Sequence, residues 1–157
     1  MVLRRCKGKG ESVSHKVRKS FSNYVIIKLS ELEVYKVSLE IGEIVWSGVE
    51  KWDFFQKDTL GKQFTRAADS IAFNISEGYG RYHYAENRNF CYYSRGSAYE
   101  TATAITKARR RNLLSEDDYT ILKEKLSYYY KLINPYIKSI GKNKGTDKVG
   151  ETNETLP

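Results

Sequence analysis

Tyr119, Leu122, Leu126, Tyr129, Ile133, Tyr136 and Ile140 recur every three or four positions, the clearest periodic run in the chain. That spacing lines one side of an α-helix, whereas a half-buried strand would alternate at every residue. A helix with one apolar stripe has to bury it against another element. The same spacing returns in three further segments, and no strand-like alternation of useful length appears between them. The chain is therefore constrained to helices packed on helices.

The segments are read as follows. Helix 1 spans about Ser30 to Lys51, with Ser30 as N-cap and Glu33 completing a capping box. Leu32, Tyr35, Leu39, Trp46 and Val49 form its stripe, widened by Val34, Val37, Ile41, Ile44 and Val45. A stripe that wide can bury one flank in the core and another against a neighbouring subunit. Asp53 to Asp58 read as a connection rich in aromatic and charged residues. Helix 2 runs from about Thr59 to Tyr79 on Leu60, Phe64, Ala67, Ala68, Ile71 and Ile75, and Gly78 and Gly80, which can adopt positive φ, end it at little cost. Helix 3 begins near Tyr84 and reaches Arg110, with a small-residue face of Ser94, Ser97, Thr101, Ala104 and Ala108. Helix 4 starts after an N-cap at Ser115, is expected to bend at Pro135, and is closed by Gly141. Short connections give an all-α, up-down antiparallel four-helix bundle.

Charge divides the 157 residues into three parts. Residues 1–28 hold eight Lys/Arg against one Glu, residues 29–141 sixteen basic against fifteen acidic, and residues 142–157 three of each. The net charge of +8 thus belongs to a basic N-terminal arm, expected to be disordered like the polar C-terminal tail. The arm reads as a functional polycation or as a solvated extension. The folded body, residues 29–141, is nearly neutral, so the overall basicity does not by itself argue that the body binds nucleic acid. No apolar run approaches the roughly 20 residues of a membrane span, and no signal-peptide pattern is seen. Two cysteines, Cys6 and Cys91, fit a reduced, cytoplasmic compartment. With His15 and His83 they show no metal-ligand spacing. Gly78-Tyr79-Gly80 lacks the preceding strand of a phosphate loop. No catalytic constellation, metal site or cofactor is expected.

Between Phe64 and Thr103, charged residues recur among small ones. The run holds Arg66-Ala67-Ala68, Asn74-Ile75-Ser76-Glu77-Gly78-Tyr79-Gly80-Arg81, Arg95-Gly96-Ser97 and Glu100. This pattern resembles the four-helix-bundle family encoded in intervening sequences of bacterial 23S ribosomal RNA, the S23 family, over roughly Glu31 to Ile140. The resemblance implies an up-down bundle assembling as a homopentamer. It also implies similarity in shape to the accessory proteins of diversity-generating retroelements, which bind reverse transcriptase and RNA. Asn74, Glu77, Gly78, Gly80, Gly96, Ser97 and Glu100 match the family's structural and ionic motif. The chain departs from it at Ala72, Phe73, Asn87, Thr101 and Ala102. Its balanced body also differs from the strongly basic accessory proteins.

Two readings stand for the charged set. Arg66, Glu77, Arg81, Arg95 and Glu100 either pair helix to helix or subunit to subunit, or the arginines present a phosphate-contacting surface. Lys107, Arg109, Arg110 and Arg111 are either a solvated run suited to the negative end of a helix dipole or a nucleic-acid patch. Tyr79, Tyr82, Tyr84, Tyr92 and Tyr93, near Arg81 and Arg88, suit a subunit interface or stacking on unpaired bases. His83 is expected to serve as a cap or turn residue. Tyr128, Tyr129 and Tyr130 cannot all face the core, because helix neighbours diverge by about 100°. The expected function is a non-enzymatic oligomer binding RNA or DNA through repeated basic patches, with a protein-interaction scaffold as the alternative.

Overall fold

Each of the four periodic segments is a helix. The computed structural model describes residues 28–141. α1 is Glu33–Val49, α2 Lys62–Tyr79, α3 Tyr84–Arg110 and α4 Glu116–Ser139, with no strand among the described residues. The expected arm and tail lie outside the described residues, apart from Lys28. α1 and α3 each pack on α2 and α4, so consecutive helices are neighbours and α4 closes onto α1. This is the up-down bundle the periodicity demands. Its two ends differ. Lys28, the α2–α3 turn and Gly141 share one end, where the arm and the tail attach. The α1–α2 connection and the α3–α4 turn share the other. The span of α4 puts these ends about 36 Å apart.

Val37, Ile41, Val45, Phe64, Ile71, Ile75, Cys91, Ala98, Leu122, Tyr129 and Ile133 are the inner core, each at most 2% exposed. In α1 four of the five widening residues, Val34, Val37, Ile41 and Val45, face inward, and Ile44 is half-buried. Leu39 and Trp46 of the first stripe stand out at 45% and 58% exposure.

The start of helix 2 differs from the sequence reading. Residues 53–58 are not a simple connection. Asp53 caps a helical turn, Phe54–Gln56, its Oδ1 accepting from the Gln56 N–H at 2.8 Å while Gln56 Oε1 accepts from the Asp53 N–H at 3.2 Å. A π-helical turn, Lys57–Gly61, then feeds into α2. Gly61 makes this possible, because a Cβ there would lie 2.9 Å from Val49 Cγ1 and 3.2 Å from the Gln56 carbonyl. Helix 1 also starts later than read. Ser30 sits in a short 3-10 turn, Leu29–Glu31, and α1 begins after Leu32, without a side-chain cap.

Gly78 and Gly80 correct a second expectation. Gly80 has φ −76°, and Gly141 is the positive-φ glycine of the described residues, at 81°. Gly78 is needed for closeness instead. A Cβ on it would meet Phe90 Cβ at 2.8 Å and the Asn87 carbonyl at 3.0 Å, so a side chain would push α3 off α2. At the far end α3 stops in a Schellman turn. Asn112 takes φ 55°, its N–H reaches the Arg109 carbonyl at 3.1 Å, and the Leu113 N–H reaches that of Ala108 at 2.9 Å. Ser115 caps α4 as expected, accepting from the Asp118 N–H at 3.0 Å. α4 runs on through Pro135.

Candidate nucleic-acid interface

The expected basic residues do not converge on one surface. Arg81 and Arg88 lie at the arm end. Lys107, Arg109, Arg110 and Arg111 lie at the opposite end, because α3 carries its first and last turns to opposite ends of the bundle. Arg66 is on the outer side of α2 and Arg95 midway along α3.

Four of these eight cations, Arg81, Arg88, Arg95 and Arg109, have internal work. Arg81 pairs with Glu77 one turn back on α2, and its guanidinium stands 4.8 Å from the Phe90 ring on α3. Arg95 donates to Asn134 Oδ1 on α4 at 2.9 Å and lies 5.2 Å from the Tyr92 ring. Arg109 pairs with Glu116 across the α3–α4 turn and leans over Tyr119. Glu100 accepts from Gln63 Nε2 at 3.2 Å, joining α3 to α2. Asn74 Nδ2 donates to the Ser70 carbonyl at 2.7 Å and approaches Ser97 Oγ at 3.5 Å. The motif residues thus divide between helix pairs. The Asn74 and Glu100 contacts face the α2–α3 seam, and Arg95 faces α4. Lys107, Arg110 and Arg111 are exposed. Arg66 borders a polar groove of about 450 Å³ with Lys62, Gln63, Ser70 and Glu100.

The arm end gathers a different set. Tyr82, His83, Tyr84, Ala85, Arg88 and Gly141 line a cleft of about 690 Å³. Tyr82 is 92% exposed and meets the His83 ring edge-on at 4.9 Å. His83 occupies the N-cap position of α3, but its side chain makes no cap hydrogen bond. Arg88 Nη1 donates to the Ile140 carbonyl at 3.3 Å, satisfying one of the last carbonyls of α4. Gly141, left-handed, completes the wall. A Cβ there would lie 3.4 Å from Tyr84 Cβ and Cγ and 3.5 Å from Arg88 Nη1.

Two features escaped sequence reasoning. The first is a buried polar relay across three helices. Ser94 Oγ donates to the Ile71 carbonyl at 2.7 Å, which uses its only proton, so Tyr129 must donate its own to Ser94 at 2.6 Å. Periodicity placed both residues inward but said nothing of their meeting. The second is Asn87, which departs from the family pattern. Its Oδ1 lies 3.5 Å from Cys91 Sγ, and its side chain hydrogen-bonds Tyr136, so an amide serves buried polar neighbours at that corner.

No group of three His, Cys, Asp or Glu among the described residues is placed to hold a metal ion. No described helix is long and apolar enough to cross a membrane.

A family model described as 23S rRNA-intervening sequence protein matches residues 30–135. No curated protein matches the chain. Among solved structures, this chain is similar to a protein of unknown function from the S23 ribosomal protein family of Bacteroides thetaiotaomicron. The TM-score is 0.62 at 23% identity, over 68% of this chain and 96% of that one. At that identity the likeness speaks to the fold.

Proposed function

Since the chain belongs to the 23S rRNA-intervening sequence protein family, we propose that it is a non-catalytic, self-assembling bundle in the cytoplasm that binds RNA or DNA at its arm end. One observation carries this reading. The strongly basic residues 1–28 lead into Lys28, at the end of the bundle that carries the exposed aromatic cleft and the Arg81–Arg88 corner. Cations supply affinity for phosphates, and the described body, nearly neutral, supplies shape rather than field.

Self-assembly is supported on the outer faces. Gly42 packs against Asp69, and Trp46 borders a groove with Thr65 and Arg66. That antiparallel register puts Leu39 level with Phe73, itself 67% exposed. Leu39, Trp46 and Phe73 form an apolar stripe on the α1–α2 side. On α3, Gly96 is exposed with nothing within 4 Å of a built Cβ, although an exposed glycine inside a helix costs about 0.5–1 kcal/mol relative to alanine. Tyr92, Tyr93 and Tyr99 stand one turn to either side. Repetition around a homopentameric ring, as the resemblance implies, raises the avidity of a weak site.

Fluorescence anisotropy with a labelled structured RNA across a salt series tests the nucleic-acid reading, comparing the full chain with one beginning at Lys28. The full chain is expected to bind with a steep salt slope that shrinks when the arm is removed. Absence of binding at low salt would defeat it. The scaffold reading, in which the Leu39–Trp46–Phe73 stripe engages another protein, would then take its place.

A further inference from the structure

We propose that the cleft of Tyr82, His83, Tyr84 and Arg88 takes unpaired bases, so that the protein prefers single-stranded over duplex nucleic acid. The inference rests on the nucleic-acid reading and names its substrate class. Tyr82 projects almost wholly into solvent from the α2–α3 turn. An aromatic ring held there gains nothing for the fold, but its face is available to a flat partner. The His83 ring meets it edge-on, and Tyr84 and Arg88 line the same cleft. Arg88 is tied to the end of α4 through the Ile140 carbonyl, and Gly141 follows with φ 81°, close to both Tyr84 and Arg88.

A duplex hides its base faces within its own stack and must be held mainly through phosphates. Residues 29–141 balance sixteen cations with fifteen acids, and the exposed run of Lys107, Arg110 and Arg111 lies at the opposite end. At this end Arg81 is already paired with Glu77. An unpaired strand exposes π-faces, and stacking on aromatic and guanidinium planes is how such strands are bound without sequence readout.

The test measures anisotropy of an unstructured RNA strand and of an RNA hairpin with the same number of phosphates, whose stem is fully paired and whose loop is a non-nucleotide linker. Full-length protein and its Tyr82→Ala and Tyr82→Phe variants are compared. Tyr82 is too exposed for its loss to unfold the chain, and circular dichroism melts check this. The strand is expected to bind more tightly than the hairpin. Tyr82→Ala should weaken the strand about tenfold, leave the hairpin unchanged, and be rescued by Tyr82→Phe. Equal binding of strand and hairpin, with no effect of Tyr82→Ala on either, would overturn the inference and leave the nucleic-acid reading standing. Failure of both to bind at low salt would remove that reading, and the inference with it.

Discussion

Single residues in this bundle are tuned by what lies within about 4 Å of them. Ser94 and Tyr129 show this best. Ser94→Ala would leave the buried Tyr129 hydroxyl without its acceptor, and a loss of about 1–3 kcal/mol is expected in urea unfolding. Gly78→Ala should cost a similar amount, by forcing α2 and α3 apart at Phe90 and Asn87. Burial also sets a high-pH limit. It pushes the Tyr136 hydroxyl to about 12, aided by nearby Cys91 and opposed by the Asn87 hydrogen bond. Burial, with a smaller push from Tyr99, takes Tyr130 to about 12, and burial takes the Cys91 thiol to about 11. These groups ionise earlier in the unfolded chain than in the fold. Above pH 9 to 10 the unfolded state therefore holds fewer protons, and stability falls. Urea midpoints should hold level from pH 7 to pH 9 and decline through pH 12. Tyr136→Phe should make the decline shallower.

At the scale of elements, the connections do more than join helices. Trp52, in the α1–α2 connection, donates its indole N–H to the Leu113 carbonyl at 2.8 Å, locking that connection to the α3–α4 turn. Trp52→Phe removes the donor and leaves a half-buried carbonyl without its partner. The expected loss is about 1–2 kcal/mol, with faster amide exchange at residues 111–115. Much at this scale was legible. Tyr119 to Ile140 predicted α4, and Ser115 its cap, because both signals are local. The Asp53–Gln56 capping box was equally local. It was hidden by Phe54 and Phe55, which are 84% and 74% exposed and break any apolar stripe. The π-turn could not be read, since it answers the approach of Val49 to Gly61 from another helix. The Schellman turn had a sequence signal in Asn112, masked by the arginine run before it.

For the whole molecule, association and stability should respond in opposite directions to one change. Gly96→Ala removes the entropic cost of an exposed helical glycine, so the isolated chain should gain about 0.5–1 kcal/mol. The same methyl stands in open space on the exposed face between Tyr92 and Tyr99, where it should hold a second copy away and weaken self-assembly. Light-scattering mass on dilution, read against the 18.2 kDa chain, checks this. Trp46 gives a second readout. It is 58% exposed whereas Trp52 is 7% exposed, so acrylamide quenching of the isolated chain should come mainly from Trp46 and fall on assembly.

By itself the sequence determined the four helices, their inward faces in α2 and α4, the up-down order, and the confinement of excess charge to residues 1–28. All of these follow from spacing, composition and short connections, which are properties of neighbours along the chain. Only the tertiary structure decided which of two stripes of α1 faces the core, why Gly78 is a glycine, and how the cations are divided. Those depend on which residue of another helix comes level with each position. Arg81 and Arg88 go to one end and Lys107 to Arg111 to the other because α3 spans the bundle. The cleft at Tyr82 exists because residues 82–88 and Gly141, distant in sequence, are brought to the same end by antiparallel packing.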